Sequence, residues 1–122
     1  MSDVTPIDNI RGYHAHIYFD KDTLELAQQL CENTAELFEV EMGRVHQKLV
    51  GPHPCWSCQL AFSPQQFSAV VPWLALNRAG LTVFVHPQTG DDLRDHRDYA
   101  MWMGTIEKLD FSIFTQSHLP LN

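Results

Sequence analysis

Four stretches that alternate apolar and polar residues, interleaved with two stretches of helical spacing, predict an α+β fold. Their order is strand–helix–strand–strand–helix–strand. That is the split βαβ, or ferredoxin-like βαββαβ sandwich, with both helices on one face of an antiparallel sheet. The length agrees, since 122 residues suffice for one domain. Such a chain buries roughly two-thirds of its extended-state surface, enough for a core without disulfide staples. Residues 1–10 read as an N-terminal arm, and 11–122 as a single domain that includes the C-terminal tail.

The first strand is Tyr13-His14-Ala15-His16-Ile17-Tyr18-Phe19. Tyr13, Ala15, Ile17 and Phe19 share one face; His14, His16 and Tyr18 share the other. Asp22 with Glu25 three residues on resembles a capping box. Leu24, Ala27, Leu30, Cys31, Ala35, Leu37 and Phe38 then follow at helical spacing, so a helix is predicted over 21–38. Residues 40–47 form a second strand with ragged alternation. Gly51 and two prolines make 50–54 a loop. The third strand runs from Trp56 to Phe62, with Ser57, Gln59 and Ala61 opposite Trp56, Cys58, Leu60 and Phe62. Ser63-Pro64-Gln65-Gln66 starts the second helix, with Ser at the N-cap, Pro next and Gln at the third position. Pro72 is expected to kink that helix or shift its start. Gly80 ends it in the left-handed conformation. The fourth strand, 81–85, is expected to stop at His86-Pro87. Residues 88–99 read as a polar turn region, and the tail from Met101 as irregular structure plus a strand or short helix.

Right-handed crossovers place strands one and three in the middle of the sheet and strand four antiparallel beside strand one. The apolar faces of the central strands must meet the helices, so the histidine face is the uncovered one. It carries His14, His16 and Tyr18, then Ser57 and Gln59, then Thr82, Phe84 and His86. His14 and His86 become near neighbours, with His16 one pleat further in. Imidazoles converging from two adjacent strands form a metal-site pattern. They suit Fe, Zn, Cu or Ni, and a facial set with open positions suits non-haem Fe(II). A His-x-His pair on a half-polar strand is equally compatible with two hydrogen-bonded rings and no ion. His53 can join only if its loop folds over this face. His96, after Asp95, reads either as a site residue or as solvated loop. His46 and His118 show no supporting pattern and are expected at the surface. The uncovered Phe84 and Tyr18 invite a second subunit, unless the tail covers them.

The formal charge is −7, with 8 basic against 15 acidic residues. That argues against nucleic-acid and anionic-membrane partners, both of which select for Lys and Arg. No apolar run approaches the roughly 20 residues of a membrane span. The first ten residues lack the pattern of a signal peptide, and three cysteines give no disulfide framework, so a cytoplasmic location is expected. Cys55-Trp56-Ser57-Cys58 enters a strand, whereas redox pairs of this spacing sit at a helix N-terminus. No second pair exists to complete a zinc site, so Cys58 is expected to pack in the core. Arg78 fits the negative end of the second helix.

Taken together, Tyr13–Phe19, Gly51-Pro52-His53-Pro54, Trp73-Leu74 with Asn77-Arg78 and Gly80-Leu81, and Val85-His86-Pro87 with Thr89-Gly90 and Asp95-His96 occur in a familiar order. They resemble the DOPA 4,5-dioxygenase family, small extradiol dioxygenases that cleave aromatic rings. The resemblance spans residues 10–105 and implies a dimeric ferredoxin-like domain of the α+β barrel type. It carries over His14, His16, His53 and His86, without deciding which of them bind metal.

The expected function is therefore opening of a catechol ring with O2 at a histidine-bound metal. Strand parity assigns His14, His16 and His86 as ligands of Fe(II), with Zn as a possible substitute. His53 is the acid–base candidate, because an imidazole titrates near neutrality. Tyr18, Gln59 and His96 are the candidate substrate contacts. Extradiol sites usually include a carboxylate, so either Glu107 in the tail completes the set or three histidines do. The expected partners are the catechol, O2 and a second copy of the chain in a homodimer. The alternative is a non-catalytic dimeric module that binds a small aromatic ligand or a metal. A zinc hydrolase on the same histidines is a third reading.

Overall fold

The computed structural model describes residues 4–117. His118 and the first three residues of the expected arm lie outside that range. In chain order the elements are β1 (Gly12–Phe19), α1 (Leu24–Phe38), β2 (Glu41–His46), β3 (Trp56–Phe62) and α2 (Phe67–Asn77). They continue with β4 (Thr82–Gln88), α3 (Asp92–Arg97), β5 (Met101–Met103) and α4 (Ser112–Ser117). The sheet order is β2-β3-β1-β4-β5 with every pair antiparallel. The βαββαβ plan is present, with β5 added beside β4.

Alternation in β1 decides what each face of the sheet does. Tyr13, Ala15, Ile17 and Phe19 enter the main core with Cys58, Leu60 and Phe62 of β3 and Val83 and Val85 of β4. Ala27, Leu30 and Cys31 of α1, with Val70 and Leu74 of α2, close this core from the helix side. Each fully buried aliphatic side chain here contributes about 1.5–3 kcal/mol. Cys58 sits inside this core as a free thiol, as does Cys31.

Several local expectations need correction. The box at Asp22 does not form. Asp20 organises the turn instead, its carboxylate accepting from the Asp22 and Thr23 N–H groups at 2.9 and 3.1 Å, and α1 begins only at Leu24. The box at Ser63 does form, with Ser63 N–H donating to Gln66 Oε1 at 3.0 Å. It opens a 3₁₀ turn before α2, and Pro72 stays inside the helix. Arg78 caps the exit by donating to the Leu81 carbonyl at 2.9 Å. β4 does not stop at His86; Pro87 pairs with Tyr13 and Gln88 with Gly12. The polar stretch after it holds α3, whose N-cap Asp91 accepts from the Arg94 N–H.

The ragged second strand contains a β-bulge. Met42 pairs with Leu60 and Val45 with Cys58, so three steps on β2 match two on β3. The extra residue reverses parity beyond Gly43. Met42 and Val45 both pack on the main core, while Glu41 and His46 both fall on the histidine face.

That second face is closed over β1 and β4 by the chain itself. Tyr18, Phe84 and Leu109 form a buried cluster with Ala100, Trp102, Phe111 and Cys55 packed on it. The Phe84 and Tyr18 that suggested a second subunit are thus covered by the tail, at 0% and 3% exposure. Over β2 and β3 the face stays open, with Glu41 and Gly43 exposed and Gln59 and Ala61 half-buried.

Candidate metal and active site

Register brings the imidazoles together. His14 lies directly opposite His86 across the β1–β4 ladder, and His16 lies opposite Phe84 on one side and Gln59 on the other. Side chains of directly opposed residues share a face and touch. His14, His16 and His86 each offer a ring nitrogen within 4.8 Å of the other two. Among the described residues no carboxylate joins this group. Glu107 lines a separate cleft of about 260 Å³ with Tyr18, Asp20, Cys55 and Thr82. Of the two sequence alternatives, the three-histidine set is the one brought together.

The tautomers follow from fixed partners. His86 Nδ1 is 2.9 Å from the Pro87 carbonyl oxygen. A carbonyl only accepts, so we assign the His86 hydrogen to Nδ1, which leaves Nε2 as a lone pair. His16 Nε2 lies 3.0 Å from that atom. A backbone carbonyl that fixes one ring nitrogen while the other faces its neighbours is the usual support of a metal-binding histidine.

His53 does fold over the face. Its loop is tied to the tail by the Asp110 N–H, which donates to the Pro52 carbonyl at 2.9 Å. The His53 ring lies 4.2 Å from the His16 ring. Its Nδ1 is 2.7 Å from the Tyr18 hydroxyl. Tyr18, expected to touch substrate, therefore directs its hydroxyl at His53. His96 also packs onto this face and is not solvated loop. Its ring rests 4.0 Å from His86 and 4.5 Å from Phe114. Its Nδ1–H donates to the Asp92 carbonyl at 2.7 Å, which leaves Nε2 unprotonated.

Asp95 does not support a histidine directly. Its buried carboxylate accepts from the Thr89 N–H and hydroxyl at 2.9 and 2.6 Å, and so fastens α3 to the end of β4. Gln59 stands beside His16 on the open side of the site. His46, expected at the surface, is half-buried on the histidine face in register with Ser57. The bulge hid it, and the only sequence signal was the broken alternation around Gly43.

Electrostatics favour neutral rings. Burial, then neighbouring His53, His86, His14 and His96, holds His16 well below the ordinary imidazole range. Burial, then His96, lowers His86 to about 3, against the Pro87 carbonyl, which acts the other way. His53 is lowered to about 4 by burial, then by His96, His46 and His14. Burial also lowers His14 and His96. A neutral imidazole is the form that ligates metal. The donor set thus fits a divalent first-row transition metal by chemistry, by convergence and by protonation state.

Comparison with known proteins agrees with this fold. A model of the Dopa 4,5-dioxygenase family matches residues 13–113. The chain is 37% identical over 122 residues to an uncharacterised 21.2 kDa protein of Botryotinia fuckeliana, covering 88% of this chain and 67% of that one. It is 32% identical over 104 residues to DOPA 4,5-dioxygenase of Amanita muscaria, covering 78% of this chain and 46% of the fungal enzyme. The match therefore spans about half the length of that enzyme. The fold is similar to the crystal structure of a candidate dioxygenase from Nostoc punctiforme, with a TM-score of 0.92 and 43% identity. That match covers 94% of this chain and 100% of the other.

Proposed function

The chain belongs to the Dopa 4,5-dioxygenase family, and from that premise we propose that it opens a catechol ring with O2, using Fe(II) held by His14, His16 and His86. The observation that carries the proposal is the convergence of these three nitrogens on one protected sheet face. When bound, Fe(II) supplies a Lewis acid that lowers the pKa of the catechol hydroxyls and a one-electron donor for O2 chemistry. The protein's own groups do the rest. The ring enters from the open side over β3, where Gln59 is placed to hydrogen-bond it. His96 offers an unprotonated Nε2 that can accept a hydroxyl proton. His53, on the opposite wall, offers a hydrogen bond to the reacting oxygens. Phe84, Trp102 and Leu109 keep water from the tail side, which strengthens polar interactions within the site.

The test is oxygen uptake by iron-loaded protein across a panel of substituted catechols, with growth of a yellow semialdehyde absorbance. His16→Ala and His86→Ala are each expected to abolish iron binding and uptake. Unchanged iron stoichiometry in both variants overturns the ligand assignment. Catechol binding without oxygen uptake overturns the enzyme in favour of a binding module.

A further inference from the structure

The Tyr18 phenol and the His53 imidazole form a closed pair on the inner wall of the site. Their heavy atoms, Oη and Nδ1, are 2.7 Å apart. Both residues are buried. Among the described residues the Tyr18 hydroxyl has no other hydrogen-bond partner. A phenol carries one hydrogen, and a neutral imidazole carries one on either Nδ1 or Nε2. If Nδ1–H donated to the phenol oxygen, the phenol hydrogen would have no protein acceptor among the described residues, which is costly for a buried group. If the phenol O–H donates to Nδ1, both groups are satisfied and the imidazole hydrogen moves to Nε2.

We propose that Tyr18 is a positioning residue that locks His53 as its Nε2–H tautomer, making His53 a hydrogen-bond donor to a reacting oxygen and not a base. No proton leaves Nε2. Its loss would leave either an imidazolate or, after transfer from the phenol, a buried tyrosinate. A neutral imidazole N–H aimed at an oxygen that gains negative charge is an established way to stabilise it. The base is then left to His96, whose Nδ1–H is fixed on Asp92 and whose Nε2 is bare. The tautomer stands on the geometry alone, whereas its catalytic use rests on the dioxygenase reading.

Long-range ¹H–¹⁵N NMR of metal-free, ¹⁵N-labelled protein tests the tautomer, with the His53 signals assigned by their loss in His53→Gln. The wild type is expected to show an imine-type Nδ1 and a protonated, pyrrole-type Nε2. Tyr18→Phe keeps the ring and removes the hydroxyl, and a mixture of tautomers is expected. In iron-loaded Tyr18→Phe, kcat is expected to fall about 10- to 100-fold, with KM and iron stoichiometry little changed. That is less than the 10²–10³ typical of deleting a stabilising donor outright. A His53 Nδ1–H in the wild-type spectrum overturns the proposal, and that measurement needs no variant to fold. Unchanged tautomer and kcat in Tyr18→Phe overturn it as well. If iron-loaded wild type turns over no catechol, the dioxygenase reading fails, while the spectra still decide the tautomer.

Discussion

Phe84 has no exposed surface, and its ring stacks on the Trp102 indole at 4.5 Å and on the His16 imidazole at 5.6 Å. It links the tail cluster to the histidine triad by direct packing on His16. Phe84→Ala is expected to cost about 3–5 kcal/mol, as for other buried aromatic truncations. The midpoint of urea unfolding measures it, and a loss below about 1 kcal/mol would show that the cluster is not part of the cooperative core. At this scale strand parity was informative. His14, His16, Tyr18, Phe84 and His86 were assigned to one face from alternation alone, because a side chain in a strand cannot choose its face independently of its neighbours. His53 was legible only as a candidate. Its position depends on Asp110 reaching Pro52, a pairing between distant loops that no local pattern encodes.

Six residues of α3 cannot hold a helix by themselves. Asp91 caps the N-terminus, accepting from Arg94 N–H at 3.2 Å, and the Asp95 carboxylate binds both donors of Thr89. This clip sets where His96 rests on His86. Asp95→Asn removes the charge and leaves one side-chain oxygen where two accepted from Thr89. It is expected to cost about 1.5–3 kcal/mol, the range for hydrogen bonds to charged groups. Hydrogen exchange provides the check: amides of 89–98 should exchange faster while β1 and β3 keep their protection. Uniform loss of protection would mean that α3 is not a separable element. The sequence hid this element because a single polar turn of helix shows no apolar period. It also hid the end of β4, since Pro87 reads as a stop although its pairing with Tyr13 persists. The bulge in β2 shows the same limit: one unpaired residue near Gly43 moves His46 onto the site face, and alternation loses its meaning across that point.

Across the whole molecule, the buried imidazoles link folding to pH, and the sign follows from their direction. The folded-state values of His53 and His86 lie at about 4 and about 3, below the ordinary value of 6.5 that applies in the unfolded chain. His16 is lowered too, and strongly. Between these limits the unfolded state binds protons that the folded state refuses. Stability is therefore full above about pH 6.5 and falls as pH drops toward the folded values. Each fully discriminated proton contributes about 1.4 kcal/mol per pH unit, so His53 and His86 together set a slope of about 2–3 kcal/mol per unit at most. Urea midpoints of chelator-treated protein, followed by tryptophan fluorescence from pH 8 to pH 5, should be flat above pH 7 and decline below pH 6. Metal binding requires the same neutral rings, so Fe(II) or Zn affinity should weaken over the same interval. His86→Gln retains a polar side chain but no titrating ring, and it should make the acid limb shallower even if overall stability drops. A stability profile that stays level down to pH 5 in the wild type would mean that the rings are protonated in the folded protein. The assignment of neutral, lone-pair-bearing histidines to the metal site would then fail with it.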